Sequence, residues 1–232
     1  MSSMPSPTAL LPNHVEGRWQ TGTGPGTPLF DPVLGTELAR VSSAGLDLPA
    51  AFAFARDQGG RALRALGYRE RAALLTAVVN VLQAHKDDYY AMATANSGTV
   101  TRDSAVDIDG GIFTLSTYAR LGERLGDARC LLDGERSRLG KDPLFQSQHI
   151  LTPTPGVALF INAFNFPSWG LWEKAAPALL SGVPVVIKPA TATALIRAVT
   201  RRYSPGWIGV CAKDRSFCVA SVFCSSRQPA KS

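Results

Sequence analysis

No apolar run in the sequence reaches the roughly 18 residues that a membrane-spanning helix needs. Polar and charged side chains interrupt the longest candidate at Asn162, Asn165, Pro167, Glu173 and Lys174. Residues 1–12 have neither a charged first segment nor a sustained apolar core, so they do not resemble a secretory signal. We interpret them as a loose leader, and we expect a cytoplasmic protein without a membrane partner.

Histidine and cysteine are scarce, and neither is spaced for metal binding. The three histidines lie far apart in the sequence, and none has a second ligand at a useful spacing. Cys211, Cys218 and Cys224 are separated by six and then five residues, which is not a zinc pattern. Cys130 is expected to be a small apolar filler rather than a nucleophile. We predict no metal site.

Three aspartates lie close together on a predicted helix, at positions 103, 107 and 109. Asp107 and Asp109 are two residues apart, and side chains at that helical spacing point in different directions. A shared metal ion is therefore not predicted here either.

Positive charge is concentrated at the carboxyl end. The formal net charge is +6, and residues 201–232 hold six basic side chains against Asp214 alone. The rest of the chain is therefore close to neutral, without the broad basic surface typical of nucleic-acid binding. A basic-tailed nucleic-acid binder remains an alternative, but we expect no nucleic-acid partner.

Several segments have helical patterns. Asp47 before Leu48-Pro49 is typical of a helix start, and Gly59-Gly60 is expected to end that helix. An apolar stripe predicts a second helix over residues 68–85. Helical residues follow at 86–94, with Gly98 as the expected stop.

A further buried helical face is marked by Ile108, Ile112, Leu115 and Ala119. Residues 120–142 lack a helical period and residues 144–152 have a strand-like composition, so we predict an extended ribbon there. Shorter strands or a hairpin are expected around Gly17–Trp19 and Phe30–Gly35.

The most informative stretch is Gly156 to Thr191, where a strand, a polar turn, a helix and a second strand follow one another. The apolar run 156–161 predicts a strand that is buried on both faces. Ser168 is positioned to cap a helix over 169–180, and residues 183–187 form a second strand. Asn165 and Lys188 then lie at strand carboxyl ends, where open α/β sheets bind ligands.

Motifs in this stretch resemble the aldehyde dehydrogenase superfamily. They are Phe164-Asn-Phe-Pro167, Glu173-Lys-Ala-Ala-Pro-Ala-Leu-Leu180 and Val186-Ile-Lys-Pro-Ala190. Phe160–Gly170 and Val106-Asp-Ile-Asp-Gly-Gly111 resemble the branch that acts on CoA-linked semialdehydes in phenylacetyl-CoA and benzoyl-CoA breakdown. The likeness runs from about Leu11 to about Ile196.

The resemblance implies a role for each polar residue at the strand ends. Asn165 would donate its amide N–H to the developing alkoxide, although without the resemblance it equally closes a turn. Lys188 would bind the adenosine ribose hydroxyls or a 2′-phosphate; an exposed lysine at a strand end is the alternative. Thr191 stands where many NAD-preferring relatives carry a glutamate. The absence of that carboxylate favours NADP over NAD. Asn162 and Phe164 are candidates for the nicotinamide path, with simple packing as the alternative for Phe164.

The expected fold is α/β: an incomplete Rossmann-like NAD(P)-binding domain at 13–127 and 153–197, with a helical N-terminal region. The segment 128–152 corresponds to the family's oligomerisation ribbon, which implies a homodimer or larger assembly. Residues 198–232 resemble nothing in the family, and we expect them to be frameshifted or disordered.

Family chemistry also requires a nucleophilic cysteine and a glutamate base. The sequence contains no Gly-Gln-x-Cys motif, no Glu-Leu-Gly-Gly motif and no glycine-rich turn after Lys188. We therefore predict the N-terminal part of an NAD(P)-dependent aldehyde dehydrogenase, inactive alone. The alternative is a non-catalytic module that binds nucleotide or associates with a full-length relative.

Overall fold

The computed structural model describes residues 9–195 and the backbone of three short strands farther along the chain. Most of the expected non-family tail, residues 198–232, lies outside the described residues. The helices in the described part are α1 (Leu48–Phe54), α2 (Gly60–Ala65), α3 (Tyr68–Ala84), α4 (Lys86–Ser97), α5 (Thr101–Leu125) and α6 (Trp169–Leu180).

The described strands are mostly short. The first five are β1 (Leu10–Leu11), β2 (Asn13–Val15), β3 (Arg18–Gln20), β4 (Thr27–Phe30) and β5 (Glu37–Val41). The central four are β6 (Leu131–Arg138), β7 (Gln146–Leu151), β8 (Ala158–Ile161) and β9 (Val185–Lys188). The last three are β10 (Cys211–Ala212), β11 (Arg215–Ser216) and β12 (Val219–Ser221).

Helix boundaries follow the sequence signals in most places. The Asp47 side chain accepts a hydrogen bond from Ala50 N at 2.9 Å, so it caps α1 as predicted. Gly98 ends α4 with a φ of 67°, in the left-handed region where a residue without Cβ is unstrained.

Two predicted boundaries are wrong. Gly59-Gly60 does not end the first helix, because a π-helical turn at Ala55–Gly59 leads directly into α2. Helix α5 also continues to Leu125, past residue 120, where its helical period fades. Packing explains the extension, since Gly122 is buried closely against Leu180 and Ala72.

The main sheet is built around the predicted crossover. Strands β8 and β9 are parallel, with Ile161 opposite Lys188, and α6 connects them. The strand order is β3-β2-β12-β9-β8, with β12 parallel to β9 and antiparallel to β2. Strands β1, β5 and β4 form a second sheet. The parallel β8–α6–β9 crossover beside the helices makes the fold α/β, as the sequence predicts.

The core lies between α3, α5 and α6. Leu75 of α3 and Leu115 of α5 are almost fully buried there, and Ile108, Ile112 and Ala119 of the predicted α5 face are buried with them. On the other side of α6, Leu171 and Ala175 pack against Val185 and Ile187 of β9. Helix α6 is thus held between the helical layer and the sheet.

Strand β8 differs from the prediction. Leu159 and Ile161 are 50% and 69% exposed, whereas Ala158 and Phe160 pack towards α6. The sequence prediction of burial on both faces is therefore wrong for the part of the chain that is described. Apolarity alone does not reveal whether an element is present to cover the second face.

Strands β6 and β7 form a separate antiparallel ribbon with several exposed apolar side chains. Leu132, Leu144, Phe145, Ile150 and Leu151 are all more than half exposed. Cys130, just before β6, is also exposed, so it is not the apolar filler that we expected. No helix among the described residues is long and apolar enough to cross a membrane.

Candidate functional site

The turns that follow β8 and β9 meet at the carboxyl edge of the sheet. The backbone N–H of Asn162 donates to the carbonyl oxygen of Lys188 at 3.0 Å, which ties the two strand ends together. The segment Asn162–Pro167 and the segment Lys188–Thr191 therefore lie on the same edge of the sheet. This is the edge at which open α/β sheets bind ligands.

Asn165 lies in the first of these turns. Its side chain is exposed, and its amide makes no hydrogen bond with any other described residue. An amide N–H at this place is available to an incoming oxygen atom.

Asn162 has the opposite environment. The residue is only 6% exposed, and neither Nδ2 nor Oδ1 has a hydrogen-bond partner within the described part of the chain. A buried amide without partners costs free energy, about 1–3 kcal/mol for an unsatisfied group. Asn162 is therefore a position where a bound polar group would be stabilising.

The remaining candidate residues are accessible to different degrees. Phe164 is 66% exposed, so among the described residues it does not have the packed role that was its alternative. Lys188 and Thr191 are partly exposed at the end of β9. None of the described acidic residues forms an ion pair with Lys188, so its charge is available to an anion.

A small cavity of about 120 Å³ adjoins the Asn165 turn. Its lining combines hydroxyl groups, the Asn165 side chain and acidic residues at the start of α5: Ala93, Ser97, Thr99, Asp103, Ser104, Asp107, Asn165, Phe166 and Pro167. The Oγ atoms of Thr99 and Ser104 lie 2.7 Å apart, and the Oγ of Ser97 is buried without a partner in the described chain. Asn165 and Asp107 thus line the same polar space.

Asp107 holds the start of α6. Its carboxylate accepts hydrogen bonds from the backbone N–H of Ser168 at 3.0 Å and of Trp169 at 2.7 Å. Ser168 is the residue before the helix, as predicted, but its side chain makes no capping hydrogen bond. The prediction of a serine cap is therefore wrong, because a carboxylate from another helix occupies that place.

Burial raises the pKa of the Asp107 carboxyl above its usual range, and the two backbone N–H donors act in the opposite direction. Asp107 is 5% exposed. The sequence contained a signal for the burial of Asp107, though not for its partners. Asp107 lies on the same helical face as Gly111 and Leu115, so it faces the core rather than water.

The contact between α5 and α6 is close next to this cap. A Cβ atom on Gly110 would lie 2.6 Å from the ring of Trp169, so only glycine fits there without a shift. The indole Nε1 of Trp169 donates to Thr114 Oγ1 at 3.1 Å. The first turn of α6 is therefore fixed both by its backbone and by its first side chain.

Asp109 points elsewhere. It accepts a hydrogen bond from Tyr90 at 2.8 Å and pairs with Lys86 at 3.0 Å, whereas Asp107 faces α6. The two aspartates therefore point in different directions, as the helical spacing predicts. The hydrogen bonds to Tyr90 and Asp109 raise the pKa of Lys86.

Most of the chain matches a known protein family. The model of the aldehyde dehydrogenase family matches residues 19–202, which is most of the chain. The chain belongs to the aldehyde dehydrogenase family. The match extends a little beyond Ile196, where we expected the family likeness to end.

The curated relatives of this chain include two semialdehyde dehydrogenases. The 3,4-dehydroadipyl-CoA semialdehyde dehydrogenase of Aromatoleum evansii is 55% identical over 184 residues, covering 79% of this chain and 36% of the relative. The NADP(+) succinate-semialdehyde dehydrogenase of Escherichia coli (strain K12) is 28% identical, covering 77% of this chain and 36% of the relative. This aldehyde dehydrogenase chain thus spans little more than a third of the length of these relatives.

Solved structures show the same fold. An NAD-dependent benzaldehyde dehydrogenase from Corynebacterium glutamicum matches with a TM-score of 0.77 and 20% identity, covering 98% of this chain and 46% of that one. Lactaldehyde dehydrogenase from Escherichia coli matches with a TM-score of 0.77 and 19% identity, covering 93% of this chain and 43% of that one.

Proposed function

We propose that this chain carries the oxyanion-binding and nucleotide-binding part of an NAD(P)-dependent aldehyde dehydrogenase. The observation that supports this most strongly is the shared sheet edge, where a backbone hydrogen bond from Asn162 to Lys188 ties the two strand ends and Asn165 follows in the turn after β8. In this proposal the substrate is an aldehyde, and the product is the corresponding acid. The protein works in the cytoplasm.

The oxyanion role of Asn165 follows from the chemistry of the carbonyl group. When a thiolate attacks an aldehyde carbon, the carbonyl π electrons move to the oxygen, which becomes an alkoxide. The free Nδ2–H of Asn165 donates to that oxygen as its charge develops. A donor of this kind is typically worth about 3 kcal/mol of barrier.

The nucleotide role rests on the end of β9. Lys188 has no anionic partner among the described residues, and its ammonium would hold the adenosine ribose hydroxyls or a 2′-phosphate. Thr191 brings no carboxylate to repel that phosphate, so NADP is the preferred nucleotide over NAD. The buried amide of Asn162 and the exposed ring of Phe164 would line the nicotinamide path. Bound NAD(P)+ would accept the hydride from the substrate.

We propose a CoA-linked semialdehyde of aromatic catabolism as the substrate. The high identity to 3,4-dehydroadipyl-CoA semialdehyde dehydrogenase supports this choice. The polar cavity beside Asn165 contains Asp103 and Asp107 and no basic side chain. Such a lining suits an aldehyde whose far carboxyl is masked as a thioester better than one with a free carboxylate.

The 232-residue chain alone should not turn over an aldehyde substrate. Cys130 is exposed beside the ribbon, away from the Asn165 turn in sequence, and the cysteines at 211, 218 and 224 lack the setting of the family nucleophile. A non-catalytic module that binds nucleotide, or that joins a full-length relative through the β6–β7 ribbon, is the second candidate. The exposed apolar side chains of that ribbon favour association into a homodimer or larger assembly.

The test has two parts. NADP+ and NAD+ are titrated into the purified chain, with Lys188→Ala as the variant and Lys141→Ala, on the exposed turn between β6 and β7, as the control. We expect NADP+ to bind more tightly than NAD+ and Lys188→Ala alone to weaken it. No nucleotide binding, or equal loss in both variants, would overturn the nucleotide role.

The second part measures reduction of NADP+ with a CoA-linked semialdehyde, beside Asn165→Ala. We expect no turnover by the chain alone, and co-purification with a full-length relative would support the module reading. Robust acid production that depends on one of the four thiols would overturn the proposed inactivity.

We further propose that the part of the expected tail 198–232 that lies beyond the family match, which ends at residue 202, is read in a shifted frame. Its excess of basic side chains contrasts with the near-neutral remainder of the chain. Resequencing the gene region checks this, because a shift of one or two bases should reveal the glutamate and cysteine motifs downstream. An unbroken frame with no such motifs downstream would contradict the proposed frameshift.

A further inference from the structure

The turn that carries Asn165 is connected to α5 through the Asp107 carboxylate. Pro167 separates Phe166 from Ser168, and Ser168 N is the first backbone donor held by the Asp107 carboxylate. Only two residues therefore lie between Asn165 and this anchor. Proline fixes its own φ, so Phe166 and Pro167 can adopt fewer conformations.

We infer that Asp107 is a positioning residue that orients the Asn165 amide by holding the first turn of α6 against α5. The inference rests on the proposed oxyanion role of Asn165. Asp107 does not touch the substrate in this arrangement; it acts through the backbone of Ser168 and Trp169.

The first argument is the lack of another acceptor. The N–H groups at the start of a helix have no partner within the helix. The N–H of Gly170 bonds to the Phe166 carbonyl at 2.9 Å, but those of Ser168 and Trp169 bond to Asp107. The Ser168 side chain does not replace it. Without the Asp107 carboxylate, the helix start loses its described partner.

The second argument is that the anchor is directional. The ring of Trp169 lies against Gly110, and its Nε1 bonds to Thr114. Three successive points on α5, at Asp107, Gly110 and Thr114, therefore receive the backbone and side chain of one turn. Such a contact fixes the direction of the helix axis as well as its end.

The third argument separates positioning from ordinary stabilisation. Asp109 lies on the same helix and also makes two polar contacts, with Tyr90 and Lys86. It does not contact the Asn165 turn. Asp109→Asn is therefore a matched control, since it removes the same charge from the same helix without releasing α6.

The experiment compares Asp107→Asn and Asp109→Asn with the wild-type 232-residue chain. Two signals are followed: hydrogen exchange of the Ser168 and Trp169 amides, and the NMR resonances of the Asn165 side-chain NH2 group. Asparagine at position 107 keeps one acceptor oxygen but places an NH2 donor where the second oxygen faces the N–H of Ser168. We therefore expect Asp107→Asn to speed exchange most at the Ser168 amide, by about tenfold or more. We expect it also to shift or broaden the Asn165 resonances, while Asp109→Asn leaves both signals unchanged.

A purely structural role would affect the two variants through global stability alone. Urea unfolding of each variant measures that contribution. If the Asn165 resonances do not change in Asp107→Asn, or change equally in both variants, the inference is overturned.

If Asp107→Asn does not fold, Thr114→Val is the second variant. It removes only the indole hydrogen bond and should shift the same resonances by a smaller amount. No shift there would overturn the inference as well. None of these signals depends on turnover or nucleotide binding, so failure of the proposed function would be seen separately.

Discussion

Asp107 and Arg71 hold opposite ends of helix α6, although neither residue belongs to it. The Asp107 carboxylate accepts from the N–H groups of Ser168 and Trp169, and the Arg71 guanidinium donates through Nη1 to the carbonyl oxygen of Leu180 at 3.1 Å. The negative charge lies at the amino end and the positive charge at the carboxyl end, as the helix dipole favours. The helix that follows the Asn165 turn is thus fixed by residues from α5 and α3.

Replacement of Arg71 by methionine should destabilise the fold. Arg71 is buried, and its Nε also donates to Leu63 O at 2.9 Å. Burial lowers the pKa of the Arg71 guanidinium, an effect that Tyr68 partly opposes. Methionine would remove the described donor to the Leu180 carbonyl and one of the two donors to the Leu63 carbonyl, which keeps the N–H of Leu66. We expect a loss of roughly 2 kcal/mol. Urea unfolding measures this change in the free energy of unfolding.

The control for this change is Arg56→Met, which removes an exposed arginine that pairs with Asp57. Its effect should stay within about 0.5 kcal/mol, the usual range for surface substitutions. Equal effects of the two variants would show that the contacts of Arg71 do not stabilise α6.

Addition of one methyl group should have opposite effects on the two sides of the α5–α6 contact. Gly110→Ala would place Cβ at 2.6 Å from the Trp169 ring, whereas a Cβ on Gly170 has no neighbour closer than 3.9 Å. We expect Gly110→Ala to destabilise by about 1–3 kcal/mol because of overpacking. Gly170→Ala, in the first turn of α6, should stabilise by about 0.5–1 kcal/mol. Thermal and urea unfolding compare them, and a neutral Gly110→Ala would contradict the contact.

The pH dependence of stability should reveal the burial of Asp107. A carboxyl whose pKa is raised in the folded state binds a proton there more readily than in the unfolded chain. Between the unfolded pKa and the raised pKa, the folded state therefore holds more protons, and the contribution of this group to stability falls as pH rises. Acidification through that window should stabilise wild type relative to Asp107→Asn, which does not titrate.

Urea unfolding of both proteins from neutral pH down to about pH 4, near the ordinary carboxyl pKa, gives this difference. If the difference stays constant, or if wild type loses stability relative to the variant on acidification, the pKa of Asp107 is not raised by burial.

Nucleotide preference should respond to a carboxylate at position 191. Thr191→Glu places a negative charge three residues after Lys188, where a 2′-phosphate would lie in the proposed site. Repulsion of about 1 kcal/mol or more would weaken NADP+ binding at least fivefold while leaving NAD+ binding unchanged or improved. Isothermal titration with both nucleotides measures the ratio. Thr117→Glu, on the exposed face of α5, is the control, and an unchanged ratio in Thr191→Glu would argue against this placement.

Local signals in the sequence predicted much of the fold correctly. The cap at Asp47, the stop at Gly98 and the apolar spacing of α5 depend on a few neighbouring residues, so the sequence alone reveals them. The strand–helix–strand order around α6 was also predicted, because the helical and strand periods differ. Packing decided the features that were wrong: the continuation past Gly59-Gly60 and the exposed face of β8.

The candidate site also combines features that the sequence determined with features that only packing decided. The sequence by itself determined which polar residues follow β8 and β9, because turn residues and strand ends are encoded locally. Only the tertiary structure decided that Asp107, rather than Ser168, holds the start of α6, because these two residues, 61 positions apart in the sequence, are brought together by the packing of α5 on α6. A carboxylate on a buried helical face gains its role from the backbone that packs against it, and no local pattern identifies that backbone.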